Sequence, residues 1–260
     1  MTWALQRQIL YIGIFLLIIF SLGSLIFYPS FKTEPTCSDG VLNGDESGVD
    51  CGGSCVRACI FQANPVSILW SRSFMVVPGR YNAVAYLENQ NKSLAIYNIK
   101  YSFRFADKDN VYIGKREGVA TVPPGRSFAV FEPGIDLGSS VPVYTTFSFI
   151  ESPIWLNVPE DRLSQIKLLT SNINIVNEDS KPHLSVDLKN NSLFSIPDLH
   201  VVAILYDLDR NAISASSTSI DTFMHDDLKT LDFTWPLPFT KKVVAKEIIP
   251  IYNIFNAEIK

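Results

Sequence analysis

Charge is scarce in this sequence: charged residues make up 18% of 260 positions, and the net charge is −4. No block of lysine or arginine occurs, which excludes the electrostatic footprint of a nucleic-acid-binding surface. Three histidines are present, His183, His200 and His225, and none stands in the H-x-H, H-x-x-H or H-E-x-x-H spacing that holds a metal. A G-x-S-x-G elbow, a phosphate-cradling glycine loop and a nucleotide fingerprint are all missing. Cysteine is absent outside residues 37–59. Beyond residue 60 there is no long helical periodicity apart from a short turn near 160–169.

Apolar surface is abundant. Hydrophobic residues reach 47%, with 17 Phe, 10 Tyr and 4 Trp, enough for a packed core of aromatic-rich strands. The run Ile9 to Tyr28, ILYIGIFLLIIFSLGSLIFY, holds neither charge nor proline. About 20 residues at ~1.5 Å each span ~30 Å, the thickness of a bilayer's hydrocarbon core. A helix is the form that keeps such a backbone paired in lipid. The expectation is a transmembrane helix over 9–28, a short cytoplasmic N-terminus over 1–8 carrying Arg7, and the bulk of the chain, from Pro29, on the far side. A cleaved signal peptide is the competing reading. Its apolar region is shorter, with a small-x-small site behind it. This run is long and closes on Leu25-Ile26-Phe27-Tyr28-Pro29, so an uncleaved anchor is expected.

All four cysteines, Cys37, Cys51, Cys55 and Cys59, lie in a glycine-rich segment without apolar periodicity. Such a segment holds its shape through crosslinks or a bound ion. Two disulfides are expected, in any of three connectivities, and they require an oxidising compartment. Zinc is disfavoured because the spacing C-x13-C-x3-C-x3-C lacks close C-x-x-C pairs. Asp39, Asn43, Asp45, Glu46 and Asp50 are hard oxygen donors in a loop, the ligand type calcium takes. The competing role for the same residues is turn formation through side-chain-to-backbone hydrogen bonds. The segment resembles a short cysteine-rich module of secreted and surface proteins, C-x-DG-x-x-NG-x-E-x-G-x-DCGG-x-C-x-x-C. The resemblance runs from Cys37 to Cys59, with one extra residue in the last spacing.

After Cys59 the pattern changes to period-2 alternation broken by turn residues, as in AVAYLEN, IYNIKYSFRFAD, HLSVDLKN and LHVVAILYDLD. The two sets repeat at an offset of 100: Asn91 with Asn191, Ile96 with Ile196, Ile99 with Leu199, Asp107 with Asp207, Asp109 with Asp209, Ile113 with Ile213. A repeat of that length is a duplicated domain. About 100 residues with some seven strands match an immunoglobulin-like sandwich. The fold class expected is therefore mainly β: an N-terminal transmembrane helix, a disulfide-stapled stalk over 29–61, and two tandem Ig-like β-sandwiches over 62–158 and 159–260. The polar PEDRL stretch at the boundary demands no large apolar seam between them, and residues from about 166 to 260 are expected to fold without the first copy.

Ala203-Ile204-Leu205-Tyr206-Asp207 resembles the core motif of the FxLYD family of bacterial and archaeal surface domains, with Ala203 where the motif has Phe. The first copy reads Phe103-Arg104-Phe105-Ala106-Asp107. The resemblance implies an Ig-like fold and an extracytoplasmic setting. It implies no reaction.

The pairs Asp107/Asp109 and Asp207/Asp209 read as β-hairpin turns capped by aspartate. His200 reads as a surface residue of its strand, opposite Leu199, Val201 and Ala203. Asn91-Lys92-Ser93 and Asn190-Asn191-Ser192 match glycosylation acceptors. The function expected is binding or assembly at the cell envelope, without catalysis and without a cofactor other than calcium. The membrane and a protein or cell-wall partner outside the cell are the expected contacts, and nucleic acid is not one. The alternative is a cell-envelope hydrolase with its site on sandwich loops, using loop carboxylates or His225.

Overall fold

The computed structural model describes residues 3–27 and 36–259, and within its first helix the side chains at 3, 7, 8 and 10–23. The first part of the expected stalk, 29–35, lies outside the described residues, as do positions 1, 2, 28 and 260.

Helix α1 runs Trp3–Phe27 over 25 residues. Leu10, Tyr11, Ile12, Phe15, Leu16 and Leu17 lie exposed along it. Among the described residues no helix is long and apolar enough to cross a membrane.

The rest of the chain is mainly β, as its alternation requires. The first set of strands is β1 (Ser67–Val77), β2 (Arg80–Asn89), β3 (Leu94–Ala106), β4 (Tyr112–Val122), β5 (Arg126–Asp136), β6 (Tyr144–Phe149) and β7 (Leu156–Asn157). They form two sheets, β1-β2-β5 and β4-β3-β6, with β7 on the start of β3. A short helix, α2 (Glu160–Gln165), follows Pro159, whose fixed φ suits a helix start; Glu160 and Asp161 favour its positive end. The second set is β8 (Leu168–Val176), β9 (His183–Asn190), β10 (Phe194–Tyr206), β11 (Ala212–Phe223), β12 (Leu228–Thr234), β13 (Ala245–Ile251) and β14 (Glu258–Ile259). Its sheets are β12-β9-β8 and β11-β10-β13, with β14 on the start of β10. Each second-set strand takes the place of the strand seven earlier, and the described pairings between strands are antiparallel.

Each pair of sheets closes over its own core. Ala83, Ala85 and Leu87 of β2 meet Phe103 and Phe105 of β3 in the first. Leu184, Val186 and Leu188 of β9 meet Val201, Ala203 and Leu205 of β10 in the second. The alternation places residues 203–207 in a fixed order: Ala203 and Leu205 point into the core, Ile204 and Tyr206 point away, and Asp207 begins the turn.

The outward residues are not solvated. Phe74, Val84 and Ala129 of the first unit pack against Val202, Ile204, Ala212, Ala215 and Ile249 of the second in a third core, flanked by Trp70, Tyr86, Phe131, Tyr206 and Ile251. A substantial apolar seam therefore joins the units, one that the polar linker did not demand. The linker's polarity describes α2, which does not fill the seam; the seam is built from sheet faces distant in sequence. Polar contacts frame it. Arg72 donates to the Ala212 carbonyl at 3.2 Å, Asn82 to the Ala215 carbonyl at 3.3 Å, and Arg126 to the Pro250 carbonyl at 3.2 Å.

The duplication is closest at a buried asparagine that ends β2 and β9. Asn89 donates to the Leu94 and Pro123 carbonyls; Asn190 donates to those of Phe194, Phe223 and Met224. Two residues on, the backbone N–H of Asn91 and of Ser192 donates back to the asparagine oxygen. Asn91 thus corresponds in space to Ser192, not Asn191: the second turn is one residue shorter, and the offset changes from 101 to 100 across it. Asn91 is 7% exposed and Asn190 is 0%. In the folded chain both glycosylation triplets present their asparagine to the interior, as structural groups.

Candidate functional site

The cysteine segment pairs Cys37 with Cys55 and Cys51 with Cys59. Gly53 has φ +57°, and a Cβ there would collide with the Asp45 carbonyl, so the fold of this segment excludes a side chain at that position. The segment does not stand free of the first sandwich. The Ala58 N–H donates to the Trp155 carbonyl at 2.9 Å, the Asn157 N–H to the Val56 carbonyl at 2.7 Å, and Ala58 is buried in the first core.

Four of the five oxygen donors of this segment, the carboxylates, are occupied by turn hydrogen bonds, while the side-chain oxygen of the fifth, Asn43, is buried without a partner. Asp39 accepts from the Val41 N–H at 2.9 Å and the Asn43 side chain at 2.8 Å, and these bonds hold its carboxyl below the usual value, Asn43 first. Asp45 accepts from the Ser54 hydroxyl at 2.8 Å and N–H at 2.9 Å, with the same effect. Asp50 accepts from the Gly40 N–H at 3.0 Å, and Glu46 from the Asn43 N–H at 3.3 Å. Asp39, Asp45, Glu46 and Asp50 do not converge. Among the described residues the one cluster of three His, Cys, Asp or Glu side chains within 4.8 Å is Cys37, Glu46 and Cys55, and its two sulfurs are joined to each other.

The Asp-x-Asp pairs are turn caps in both copies. Asp107 accepts from the N–H groups of Asp109 and Val111, and Asp207 from those of Asp209 and Asn211. Lys241 donates to Asp207 at 2.6 Å and is the first cause that lowers the Asp207 carboxyl. The histidines are dispersed. His183 meets Asp232 at 2.7 Å across β9 and β12, His225 lies exposed in the turn before β12, and His200 projects from β10 on the face opposite its core.

The structure does bring residues together where the two units meet. A cleft of about 580 Å³ lies beside the seam, lined from the first unit by Tyr97, Asn98 and Phe131 and from the second by His200, Tyr252 and Asn253. Its floor includes Tyr101, whose phenol donates to Glu132 at 2.6 Å while Arg116 donates to the other Glu132 oxygen at 2.9 Å. Burial, then the Glu132 bond, raises the Tyr101 phenol above its ordinary range. Gly118 faces this network, and a Cβ there would press on Tyr101 and Glu132. The buried carboxylate thus ties β3, β4 and β5 together at the cleft's edge. Its two partners leave it a structural group.

Sequence reasoning placed His200 on the surface but did not find the cleft, because its walls come from both copies. One signal was present. The run LHVVAILY is apolar at successive positions, the mark of a strand covered on both faces.

No family model matches the chain. No curated protein matches it either. Among solved structures it is similar to red sea bream transglutaminase at 9% identity and a TM-score of 0.22, over 72% of this chain and 31% of that one. It is similar to a Bacteroides uniformis β-glucuronidase at 12% identity and a TM-score of 0.18, over 68% and 22%. The chain spans less than a third of either enzyme. Likenesses at these scores leave fold and function to be argued from the chain's own residues.

Proposed function

We propose that this chain is a membrane-anchored, extracytoplasmic binding or assembly protein of the cell envelope, without catalytic activity. Its anchor is α1, with the N-terminus cytoplasmic. The stalk of 29–61 and two tandem Ig-like, FxLYD-like domains, 62–158 and 159–260, lie outside. Two disulfides within 23 residues support an oxidising compartment. A helix whose one charged residue, Arg7, lies in its second turn, followed by exposed isoleucines, leucines and phenylalanines, supports lipid as its surroundings.

The observation that carries the binding reading is the apolar seam. Two tandem modules joined by a polar linker are free to move; here a third core and its hydrogen bonds fix one against the other. A fixed pair holds a cleft of constant shape, and that is the usual setting of a recognition site at a domain interface. The turn aspartates, occupied by backbone N–H groups, weigh against a hydrolase on the loops.

Protease added to intact cells tests the placement. Fragments from 62–260 should be released while a tag at the N-terminus stays protected. Protection of 62–260 until lysis would reverse the proposed orientation.

A further inference from the structure

We propose that the cleft between the two sandwiches takes an uncharged oligosaccharide. This rests on reading the chain as a binding protein and names the ligand class. Three observations lead there. First, charge is sparse: Asp198 and His200 line the cleft and no lysine or arginine does, so nothing in it recognises a phosphate or a carboxylate by charge. Second, the polar groups that line it are of the kind that both donate and accept. Asn98, Asn256, Ser217 and Ser219 are exposed amides and hydroxyls, which match a ligand whose hydroxyls do the same. In addition, the Asn253 side-chain nitrogen is buried with no hydrogen-bond partner, while its oxygen accepts from the Phe255 N–H at 3.0 Å. Buried donors are as a rule satisfied, so this one marks a place where an acceptor is missing.

Third, aromatic rings stand among the aliphatic residues of the apolar lining. Tyr97, 43% exposed, stands on the first unit's wall, with Phe131 on the same side and Tyr252 across from it. A ring face packs on the C–H face of a sugar ring and leaves the sugar's hydroxyls to the amides. The volume of about 580 Å³ falls in the ~300–1,000 Å³ range of small-ligand pockets and exceeds what one sugar ring fills.

The test uses the full chain in a zwitterionic detergent without a sugar headgroup. Chitotriose, maltotriose and mannotriose are titrated by calorimetry, with trigalacturonate and a proline-rich peptide as comparisons. At least one neutral trisaccharide should bind. Tyr97→Ala should weaken it at least tenfold, and His200→Ala severalfold, with both variants keeping the parent's unfolding midpoint, since both side chains are exposed. No binding by any neutral trisaccharide to the folded chain would overturn the proposal. So would binding that Tyr97→Ala leaves unchanged. Peptide binding without sugar binding would overturn the sugar class and leave the binding reading intact. Sugar binding accompanied by release of shorter sugars, lost in Asp198→Asn, would support the sugar class and overturn the non-catalytic reading.

Discussion

The phenol of Tyr86, in the first sandwich, donates a 2.7 Å hydrogen bond to the carboxylate of Glu247, in the second. Tyr206 donates to the other oxygen of the same carboxylate, also at 2.7 Å. Glu247 is thus shared between a phenol from each side of the seam. Trp70 stacks on Tyr86 at 5.4 Å. Replacing Glu247 by Ala removes both acceptors. Leaving part-buried phenols unsatisfied costs ~1–3 kcal/mol each. The expected outcome is a loss of about 2 kcal/mol in denaturant unfolding, against about 1 kcal/mol for Tyr86→Phe. An unchanged midpoint in Glu247→Ala would mean that the seam stands without this bond.

Alkaline pH should loosen the seam. Burial, then the Glu247 bond, pushes the Tyr86 phenol up to about 12 and raises that of Tyr206 as well. A group whose pKa is raised on folding contributes stability that is complete below its unfolded value of ~10 and lost as pH rises toward the folded one. Stability should therefore decline between pH 10 and 12. Phenolate absorbance should show tyrosines titrating late in the folded chain, with one fewer in Tyr86→Phe. Titration of every tyrosine near pH 10 would contradict the burial described.

On the acid side the sign reverses. The Asp207 carboxyl is lowered by Lys241 and by the Asn211 N–H. Its contribution is present above the unfolded value of ~4 and lost as pH falls below it. Asp207→Asn should flatten the pH dependence of unfolding below pH 4 and leave neutral activity in binding assays untouched. A slope equal to the parent's would remove Asp207 from the acid response.

Leu205 is fully buried in the second core. Truncation to alanine should cost ~2–5 kcal/mol, read by denaturant unfolding of the full chain. Its neighbour Tyr206 flanks the seam instead and bonds Glu247 of its own unit, so Tyr206→Phe should leave the core intact and keep the Tyr86 bond across the seam. The isolated segment 166–260 should fold but expose Val202, Ile204 and Ile249, and it should associate with itself or with added first unit. A monodisperse monomer at high concentration would indicate that the seam contributes little.

A non-reducing peptide map should recover Cys37 linked to Cys55 and Cys51 linked to Cys59. For a closed loop of 8 residues the chain-entropy relation gives about 2.5 kcal/mol, so Cys51→Ser with Cys59→Ser should free the segment before the sandwiches unfold. Limited proteolysis between 37 and 59 reads this directly. A map linking other cysteines would revise the segment's fold.

Strand alternation made the β class, both sets of strands and the turn role of Asp107 and Asp207 legible, because period-2 burial and Asp capping are local properties. The disulfide count was legible for the same reason, and the pairing was not, because it depends on how the loop folds back. The seam and the cleft escaped because both are made by faces that meet only after each sandwich has formed. Tyr97 and His200 are 103 positions apart and share no pattern. Likewise nothing local in Asn190-Asn191-Ser192 says that its first residue is the post on which a turn is built.

The seam joins unlike faces: the β1-β2-β5 sheet of one copy meets the β11-β10-β13 sheet of the next. Contacts of that head-to-tail kind do not close on themselves, so in principle each copy could receive another without end. The ends of this pair are made unfit for it. Where the second copy offers Val202, Ile204 and Tyr206, the first has Ser102, Arg104 and Ala106. Where the first offers Val84, Tyr86 and Phe131, the second has Ser185, Asp187 and Asp232, the last two already held by Thr230, Asn172 and His183. A two-unit array therefore terminates itself, each outer face serving as the polar cap that a longer stack would need a separate repeat to supply.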